Sequence, residues 1–290
     1  MNKLNYNIGD IFIEIENLNT IRLYEKLEKF KSNKNLKNNI KYKLEYIQDV
    51  EVSEISNQYV DIEFEIKNIN GKEYKYYKYN NEYYALGYED TLKDTYKLII
   101  KNKYKEFISH GAQLLEHLSL EKIFIKYDAF ILHSSFIKYK NKGILFTAPS
   151  GTGKSTQADL WNQYKKAEII NGDRSLIRRI DNKWRAYGVP FSGSSPYCKN
   201  DSVDLEAIVI LRQGPENVII KCDKATAIKK LLSESTVNYW NDKFVNKIMD
   251  LLTDLVDNID VYILSCRKDQ GAVELLAETI EKYGVISINE

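Results

Sequence analysis

The chain has 290 residues, 43% hydrophobic and 29% charged, which is ordinary for a globular protein of one large or two modest domains. Its 42 basic and 41 acidic residues nearly cancel, so no overall field attracts nucleic acid or an anionic membrane. The three cysteines show no metal-ligand or disulfide spacing, and no apolar run is long enough to span a bilayer. These features predict a cytoplasmic protein without nucleic-acid or membrane partners, and they leave open whether it forms a homo-oligomer.

The first hundred residues alternate apolar and charged side chains over short runs. Residues 11–15 and 59–66 have the alternation of half-buried strands. Asn70-Gly71 is typical of a hairpin turn because both residues tolerate positive φ, and residues 74–79 and 83–86 form the next predicted strands. We therefore expect residues 1–104 to form an antiparallel β-rich region, whether or not it shares a core with the rest.

This region contains a run rich in tyrosine, at residues 74–79 and 83–84. A ribbon of aromatic side chains is one way to stack the bases of single-stranded nucleic acid. Tyrosine is also a common cross-strand residue in sheets. The balanced charge favours the structural interpretation.

Helices and strands alternate in the rest of the chain, so residues 105–290 are predicted to form an α/β domain. The period is helical over residues 91–120. Strands are expected at residues 123–125, 129–133, 136–139, 144–146, 168–170, 207–211 and 261–264, with Ser134-Ser135 as a break. Helices are expected at residues 155–164, 224–235, 242–257 and 272–283.

A glycine-rich turn links the strand at 144–146 to the helix at 155–164. Its glycines can point several backbone N–H groups inward, and the helix behind adds the positive end of its dipole. Lys154 can reach the β- and γ-phosphates of a nucleotide, and the Ser155 hydroxyl can bind Mg²⁺. The pattern predicts an ATP–Mg²⁺ site, although Ala148 stands where its first glycine is usual. The residues expected to bind ATP are Ser150, Gly151, Thr152, Gly153, Lys154, Ser155 and Thr156.

Two further residues are candidates for catalysis together with Lys154. Asp173 follows a short strand, where a carboxylate lies on the same sheet edge as the phosphate loop, and it is expected to hold the metal or accept the acceptor's proton. His133 ends a strand expected near the loop strand. It either relays a proton or orients Asp173, or it is a hydrogen-bonded core histidine.

Other polar residues support several interpretations. Arg174 or one of Arg178 and Arg179 could clamp the transferred phosphoryl group. Residues 190–195 form a small, flexible loop that is either a lid or acceptor-binding segment or a plain turn. His110 and His117 are interpreted as structural or exposed.

With these residues assembled, the chain resembles the HPr kinase/phosphorylase-like branch of P-loop proteins, which is related to ATP-dependent phosphoenolpyruvate carboxykinase. The resemblance covers residues 105–290. It implies a P-loop kinase core with a mixed sheet, in which Lys154 and Ser155 hold phosphates and metal, Asp173 serves the metal or the proton, and His133 supports the carboxylate. It rests on Leu132-His133, on residues 150–156, on Asn171-Gly172-Asp173 and on residues 188–193.

The chain departs from that family at points that concern the substrate. The family's kinases carry two adjacent acids where this chain has Asp173-Arg174. The arginine-rich segment of the phosphocarrier kinase and the metal ligands of the carboxykinase are missing. The first hypothesis is an ATP-dependent kinase acting on a hydroxyl, such as a serine of a peptide or small protein, or a small metabolite. The alternative is an ATP-binding accessory or regulatory protein without transferase activity.

Overall fold

The computed structural model describes residues 2–18, 24–34, 40–93, 95–109 and 112–283. The chain divides into two compact units, Met1–Leu120 and Glu121–Glu290. Each unit is built on sheet that mixes parallel and antiparallel strands, and helices accompany both. The protein is therefore a mixed α/β protein, as the sequence predicts.

The first unit is an eight-stranded sheet with short helices. Its strands are β1 (Lys3–Ile8), β2 (Ile11–Glu16), β3 (Ile40–Ile47), β4 (Tyr59–Val60), β5 (Phe64–Ile69), β6 (Lys72–Tyr79), β7 (Glu82–Asp90) and β8 (Thr95–Lys101). Its helices are α1 (Glu25–Glu28), α2 (Lys105–Ser109) and α3 (Gln113–His117). The strands lie in the order β1-β2-β3-β8-β7-β6-β5-β4.

Three expectations for this unit were wrong. The sheet is not wholly antiparallel, because β3 pairs in parallel with both β2 and β8. The strand expected at 59–66 is interrupted between β4 and β5. The helical period expected over 91–120 contains β8, in which Tyr96, Leu98 and Ile100 are buried at alternate positions. Alternation over so few residues is easily missed beside the short helices that follow it.

Cross-strand packing accounts for much of the tyrosine-rich run. Tyr74 and Tyr88 lie opposite each other on β6 and β7, with ring centroids 5.1 Å apart. Tyr84 is buried, and its hydroxyl lies 2.9 Å from Nε2 of His117. Burial lowers the pKa of His117 to about 4, so this residue is a neutral core histidine. His110 lies outside the described residues.

The second unit has longer strands and helices. Its strands are β9 (Ala129–Tyr139), β10 (Lys142–Thr147), β11 (Glu168–Asn171), β12 (Arg174–Ile180), β13 (Lys183–Gly188), β14 (Ser202–Gln213), β15 (Val218–Lys221) and β16 (Asp260–Cys266). The helices from the unit boundary onward are α4 (Leu120–Phe124), α5 (Lys154–Lys165), α6 (Lys224–Glu234), α7 (Asp242–Asn258) and α8 (Gln270–Tyr283).

Two long strands, β9 and β14, take part in two sets of pairings. The first part of β9 pairs with β12, which leads through β13 to the start of β14. The second part of β9 pairs with β10 and β11, and β10 continues through β14 to β16 and β15. Strands β10, β14 and β16 are parallel. Their carboxyl ends therefore meet at one edge, where ligands bind in open α/β sheets.

Helices cover both faces of this sheet. On β14, Ile208 and Ile210 pack into the hydrophobic cluster that contains α6 and α7. Val209 and Leu211 point the other way, into the cluster that contains α5 and α8. Successive side chains of a strand face opposite sides, so a strand covered on both faces is apolar throughout. The burial of β14 thus fixes the sheet between two helical layers.

Two expectations for the second unit were wrong. Residues 123–125 are helical rather than extended. Ser134 and Ser135 do not break the strand, because β9 continues through both of them. Their buried hydroxyls donate to Oγ of Ser175 at 2.9 Å and to the main-chain oxygen of Gly172 at 3.1 Å. The four helices predicted in this unit are confirmed as α5 to α8.

Replacing Trp161 by alanine should lower the free energy of unfolding by about 3–5 kcal/mol. Trp161 is fully buried on α5 and packs against Tyr139 and Phe146, with ring centroids 5.2 and 6.3 Å away. Urea unfolding followed by circular dichroism measures the loss. Trp161→Phe should lose less than half as much, because it keeps an aromatic ring and removes an indole N–H that has no acceptor among the described residues. Equal losses in the two variants would contradict this packing role.

Candidate functional site

The turn between β10 and α5 has the backbone that its glycines predict. Gly151 has φ of 77° and Gly153 has φ of 121°, values that residues with a Cβ rarely adopt. A Cβ built on either residue would meet nothing within 4 Å, so the glycines are required by conformation rather than by crowding. Gly153 stands immediately before the first residue of α5. The main chain therefore curls in front of a helix N-terminus, where its dipole favours an anion.

Ala148, the departure from the usual glycine pattern, is explained by packing. It is buried in the cluster that contains Phe146 and Trp161. It is not among the described residues with positive φ. A methyl group fits this position, and no glycine is needed there.

Lys154 is the first residue of α5, and its ammonium folds back over the turn. Its Nζ donates to the main-chain oxygen of Ala148 at 2.7 Å and that of Pro149 at 3.4 Å. Burial lowers the pKa of Lys154, while the negative charges of Glu234 and Asp173 oppose that change. The Lys154 ammonium is thus held against the turn, with the carboxylates of Glu234 and Asp173 nearby.

The next turn along the chain, at Asn171-Gly172-Asp173, is held by the buried Asn171 side chain. Its Oδ1 accepts hydrogen bonds from the main-chain N–H groups of Asp173 at 2.9 Å and Arg174 at 3.1 Å. Its Nδ2 donates to the main-chain oxygens of Val189 at 2.8 Å and Phe191 at 3.1 Å. One amide therefore joins the Asp173 turn to the segment after β13. Asn171 belongs to the segment on which the family resemblance rests, but no sequence pattern indicates this role.

Asp173 is placed beside His133 by strand pairing. The next residue, Arg174, is registered opposite His133 on β9, and the main-chain oxygen of Asp173 accepts from the N–H of Ser134 at 2.9 Å. Nε2 of His133 lies 3.5 Å from Oδ1 of Asp173. A hydrogen bond from His133 and the positive charges of Arg174, His133 and Lys154 hold the pKa of Asp173 below its ordinary value of 3.8, against the opposing effect of burial.

A second carboxylate, from Glu234 at the end of α6, contacts the other nitrogen of the imidazole. Nδ1 of His133 lies 3.1 Å from Oε2 of Glu234. No local sequence signal identifies Glu234, because it stands 101 residues from His133 in an amphipathic helix and no motif surrounds it. His133 therefore lies between two acids that come from different elements.

Other residues complete the surroundings of the turn. Ser155 Oγ donates to the main-chain oxygen of Gly172 at 3.4 Å. At the carboxyl end of β14, Nε2 of Gln213 donates to the main-chain oxygens of Gly151 and Thr152 at 3.4 and 3.3 Å. Gln213 is a second residue that sequence reasoning did not single out, since an exposed glutamine at a strand end carries no pattern.

The segment at residues 190–195 closes against the Asp173 turn. Gly193 has φ of 48°, and a Cβ there would lie 3.2 Å from Cγ of Asp173. A Cβ on Gly172 would collide with the side chain of Ser195. The close approach explains why glycine stands at both positions.

One cleft of about 590 Å³ is lined by most of the residues that the sequence singled out. Thr152 lies outside that lining and faces the hollows on the other side of the turn. The residues that line this cleft include His133, Gly151, Gly153, Lys154, Ser155 and Asp173.

The side chains of the three candidate clamp arginines lie apart from one another. Nε of Arg174 lies 3.6 Å from Oδ2 of Asp173, so this side chain remains beside the site. Arg178 donates from Nε to the main-chain oxygen of Tyr127, and Nε of Arg179 lies 3.1 Å from Asp254. Those contacts direct Arg178 and Arg179 away from the cleft, and neither residue lines it.

Across the described ranges, no group of three or more His, Cys, Asp or Glu residues could hold a metal ion. Within those same ranges, no helix is both long and apolar enough to cross a membrane.

Comparison with known protein families assigns the chain to one of them. The model of a family described as "SynChlorMet cassette protein ScmC" matches residues 116–282, more than half of the sequence. The chain belongs to the ScmC family. The matched region includes every cleft residue named above. The description of the ScmC family gives no reaction and no substrate.

Other comparisons add little to the ScmC assignment. The structure of the HPr(Ser) kinase/phosphatase from Coxiella burnetii is similar over 52% of this chain and 88% of its own, with 10% sequence identity and a TM-score of 0.31. This likeness is too distant to carry an inference about activity. No curated protein matched the chain.

Asn171→Ala should lower the free energy of unfolding by at least about 2 kcal/mol, because buried main-chain groups on two segments lose their hydrogen-bond partners together. Urea unfolding at neutral pH measures the loss. Asn162→Ala is a suitable control, since that exposed helical side chain makes a single hydrogen bond to Ala167. A loss at Asn171 no larger than that of the control would show that its amide does not hold the turn.

Asp173→Asn should weaken the fold at neutral pH and make little difference in acid. The native pKa of Asp173 is below its ordinary value of 3.8, so its ionised form adds stability above that pH, and this stability is lost as the pH falls through the lower native value. Urea unfolding of both proteins from pH 7 to pH 3 measures the difference. Asp181→Asn, in an exposed turn, should leave the free energy of unfolding nearly unchanged at each pH. A difference for Asp173→Asn that grows on acidification would reverse this interpretation.

Proposed function

We propose that the chain is an ATP-dependent kinase that transfers the γ-phosphoryl group to a hydroxyl, such as a serine of a peptide or small protein. One observation carries this proposal: the ammonium of Lys154, at the N-terminus of α5, lines the same cleft as His133 and Asp173. Phosphoryl transfer requires a phosphate cradle, a cation for the γ-phosphate and a carboxylate for the metal or the proton.

The residues of the cleft fit ATP with Mg²⁺. The phosphates would lie on the turn at residues 150–156, where two positive-φ glycines precede the helix dipole. Lys154 would neutralise phosphate charge. Ser155 and Asp173 offer the oxygen ligands that Mg²⁺ accepts beside substrate phosphates, and the bound ion would offset negative charge on the transferred group.

In the proposed reaction the acceptor hydroxyl loses its proton, its oxygen bonds to the γ-phosphorus, and the bond to the bridging oxygen of ADP breaks. The lowered pKa of Asp173 keeps its carboxylate ionised at neutral pH. The carboxylate can then accept a proton or bind a metal. His133, beside that carboxylate, supports it in either role. The HPr kinase-like core is part of this proposal and rests on the sequence resemblance alone.

The second candidate is an ATP-binding accessory or regulatory protein without transferase activity. One contact favours it. Nε of Arg174 lies 3.6 Å from Oδ2 of Asp173, so a cation stands where kinases of the resembling family carry a second acid. Such a protein would bind ATP through the same turn and would not transfer phosphate.

We also propose a cytoplasmic location and no nucleic-acid partner. The support for the location is that Cys198, Cys222 and Cys266 are all free thiols. The balance of 42 basic and 41 acidic residues argues against a nucleic-acid partner.

Lys154→Ala should abolish ATP binding, because the variant loses the cation that contacts the phosphates. Binding of ATP–Mg²⁺ by isothermal titration calorimetry and transfer from γ-labelled ATP to serine-containing peptides are the measurements. Lys243→Ala, which removes an exposed lysine of α7, is the matched control and should behave as wild type.

The outcomes separate the two candidates. Binding and transfer by wild type, with transfer lost in Asp173→Asn, would support the kinase. Binding lost in Lys154→Ala without transfer by wild type would support the accessory protein. Binding that survives Lys154→Ala would refute both, since each depends on the same turn.

A further inference from the structure

We propose that Glu234 is a positioning residue of this site, which orients the imidazole of His133 by accepting a hydrogen bond from Nδ1, so that Nε2 faces Asp173. The inference rests on the proposed kinase function for its catalytic consequence. It rests on geometry alone for the pairing itself. The relevant contacts are 3.1 Å from Nδ1 to Glu234 and 3.5 Å from Nε2 to Asp173.

Main-chain contacts hold the end of α6 against β9. Ser235 forms a β-bridge with Leu132, and the N–H of Thr236 donates to the main-chain oxygen of Ile131 at 3.0 Å. Glu234 directly precedes Ser235, and His133 directly follows Leu132, so the two residues adjoin the bridge. These main-chain contacts alone therefore bring the Glu234 carboxylate close to the His133 ring.

The Glu234 side chain is also shielded from water. Its exposed fraction is 13%, compared with 30% for His133 and 29% for Asp173. A hydrogen bond to a carboxylate is stronger when solvent is excluded. Glu234 is thus better placed than Asp173 to determine which nitrogen of the imidazole carries hydrogen.

The chemistry of the ring gives this placement its consequence. A carboxylate only accepts hydrogen bonds, so the nitrogen that faces Glu234 must donate. Nε2 faces a second carboxylate, Asp173, at the longer distance of 3.5 Å, and it donates there whenever the ring carries hydrogen on both nitrogens. A carboxylate behind a histidine fixes tautomer and orientation in this way in other sites.

Glu234 also bears on the absence of a second acid next to Asp173. The family that the chain resembles has two adjacent acids, and this chain has Asp173 followed by Arg174. Here the second carboxylate near the histidine comes from another element. Its direct contact in the cleft is with His133, and it acts on Lys154 through its charge alone.

Nitrogen NMR of the histidine ring tests the pairing without any ligand. In ¹⁵N-labelled wild type, Nδ1 of His133 should carry a proton, with the resonance assigned by its loss in His133→Ala. In Glu234→Ala, Nδ1 should shift toward the unprotonated position, because the ring loses its acceptor there. Glu234→Gln should restore much of the wild-type spectrum, since its amide oxygen still accepts from Nδ1. An unprotonated Nδ1 in wild type, or unchanged ring resonances in Glu234→Ala, would overturn the proposal.

Kinetics test the catalytic consequence. In transfer from γ-labelled ATP to serine-containing peptides, Glu234→Ala should lower kcat about 10–100-fold. KM for ATP should stay within about twofold, since Glu234 is not expected to contact the nucleotide. Glu234→Gln should recover most of kcat, and Glu234→Ala should have little further effect in a His133→Ala background.

Glu278→Ala, which removes an exposed glutamate of α8, is the control and should keep wild-type rates. Additive losses from Glu234→Ala and His133→Ala would refute the positioning role. An absence of transfer by wild type would refute the kinase proposal, and the NMR result would then decide the Glu234–His133 pairing alone.

Discussion

A single buried amide, the side chain of Asn171, joins the parts of the chain on which the candidate site depends. It fixes the turn that carries Asp173 and holds the segment after β13 against that turn. Because Arg174 is paired with His133 on β9, the same turn brings Asp173 to the imidazole. A buried amide has four hydrogen-bonding positions, and using all of them leaves little freedom for the groups that it contacts.

The electrostatic balance of the cleft follows from that framework. Burial alone would weaken the charge of Lys154, and the charges of Glu234 and Asp173 oppose this effect. The pKa of Asp173 falls for the complementary reason, since His133, Arg174 and Lys154 surround it with hydrogen-bond donors and positive charge. A buried charge is tolerated when partners compensate for lost solvation. The cation and the carboxylates therefore stabilise one another, and removing one of them alters the others.

Local sequence signals predicted part of this arrangement. The glycine-rich turn was recognisable because positive φ at Gly151 and Gly153 demands glycine regardless of the rest of the fold. Helices α5 to α8 were recognisable by their period. Local pattern is misleading at Ser134-Ser135, where two adjacent polar residues predict a strand break. Those hydroxyls find partners on Ser175 and Gly172, and a sequence does not reveal such partners. The strand β8 is hard to recognise for a different reason, because its alternation spans only 7 residues beside short helices.

The sequence by itself determined the backbone of the glycine-rich turn, the chemical identity of Lys154, Asp173 and His133, and the apolar strands that place the turn at a sheet edge. These features are local, because they depend on allowed backbone angles and on side-chain type within a few residues. Only the tertiary structure decided that Glu234 meets His133, that Arg178 and Arg179 leave the cleft, and that Gly193 packs on Asp173. Each of those contacts joins residues that are distant in the chain or set by strand register, and packing brings them together without a pattern in the sequence.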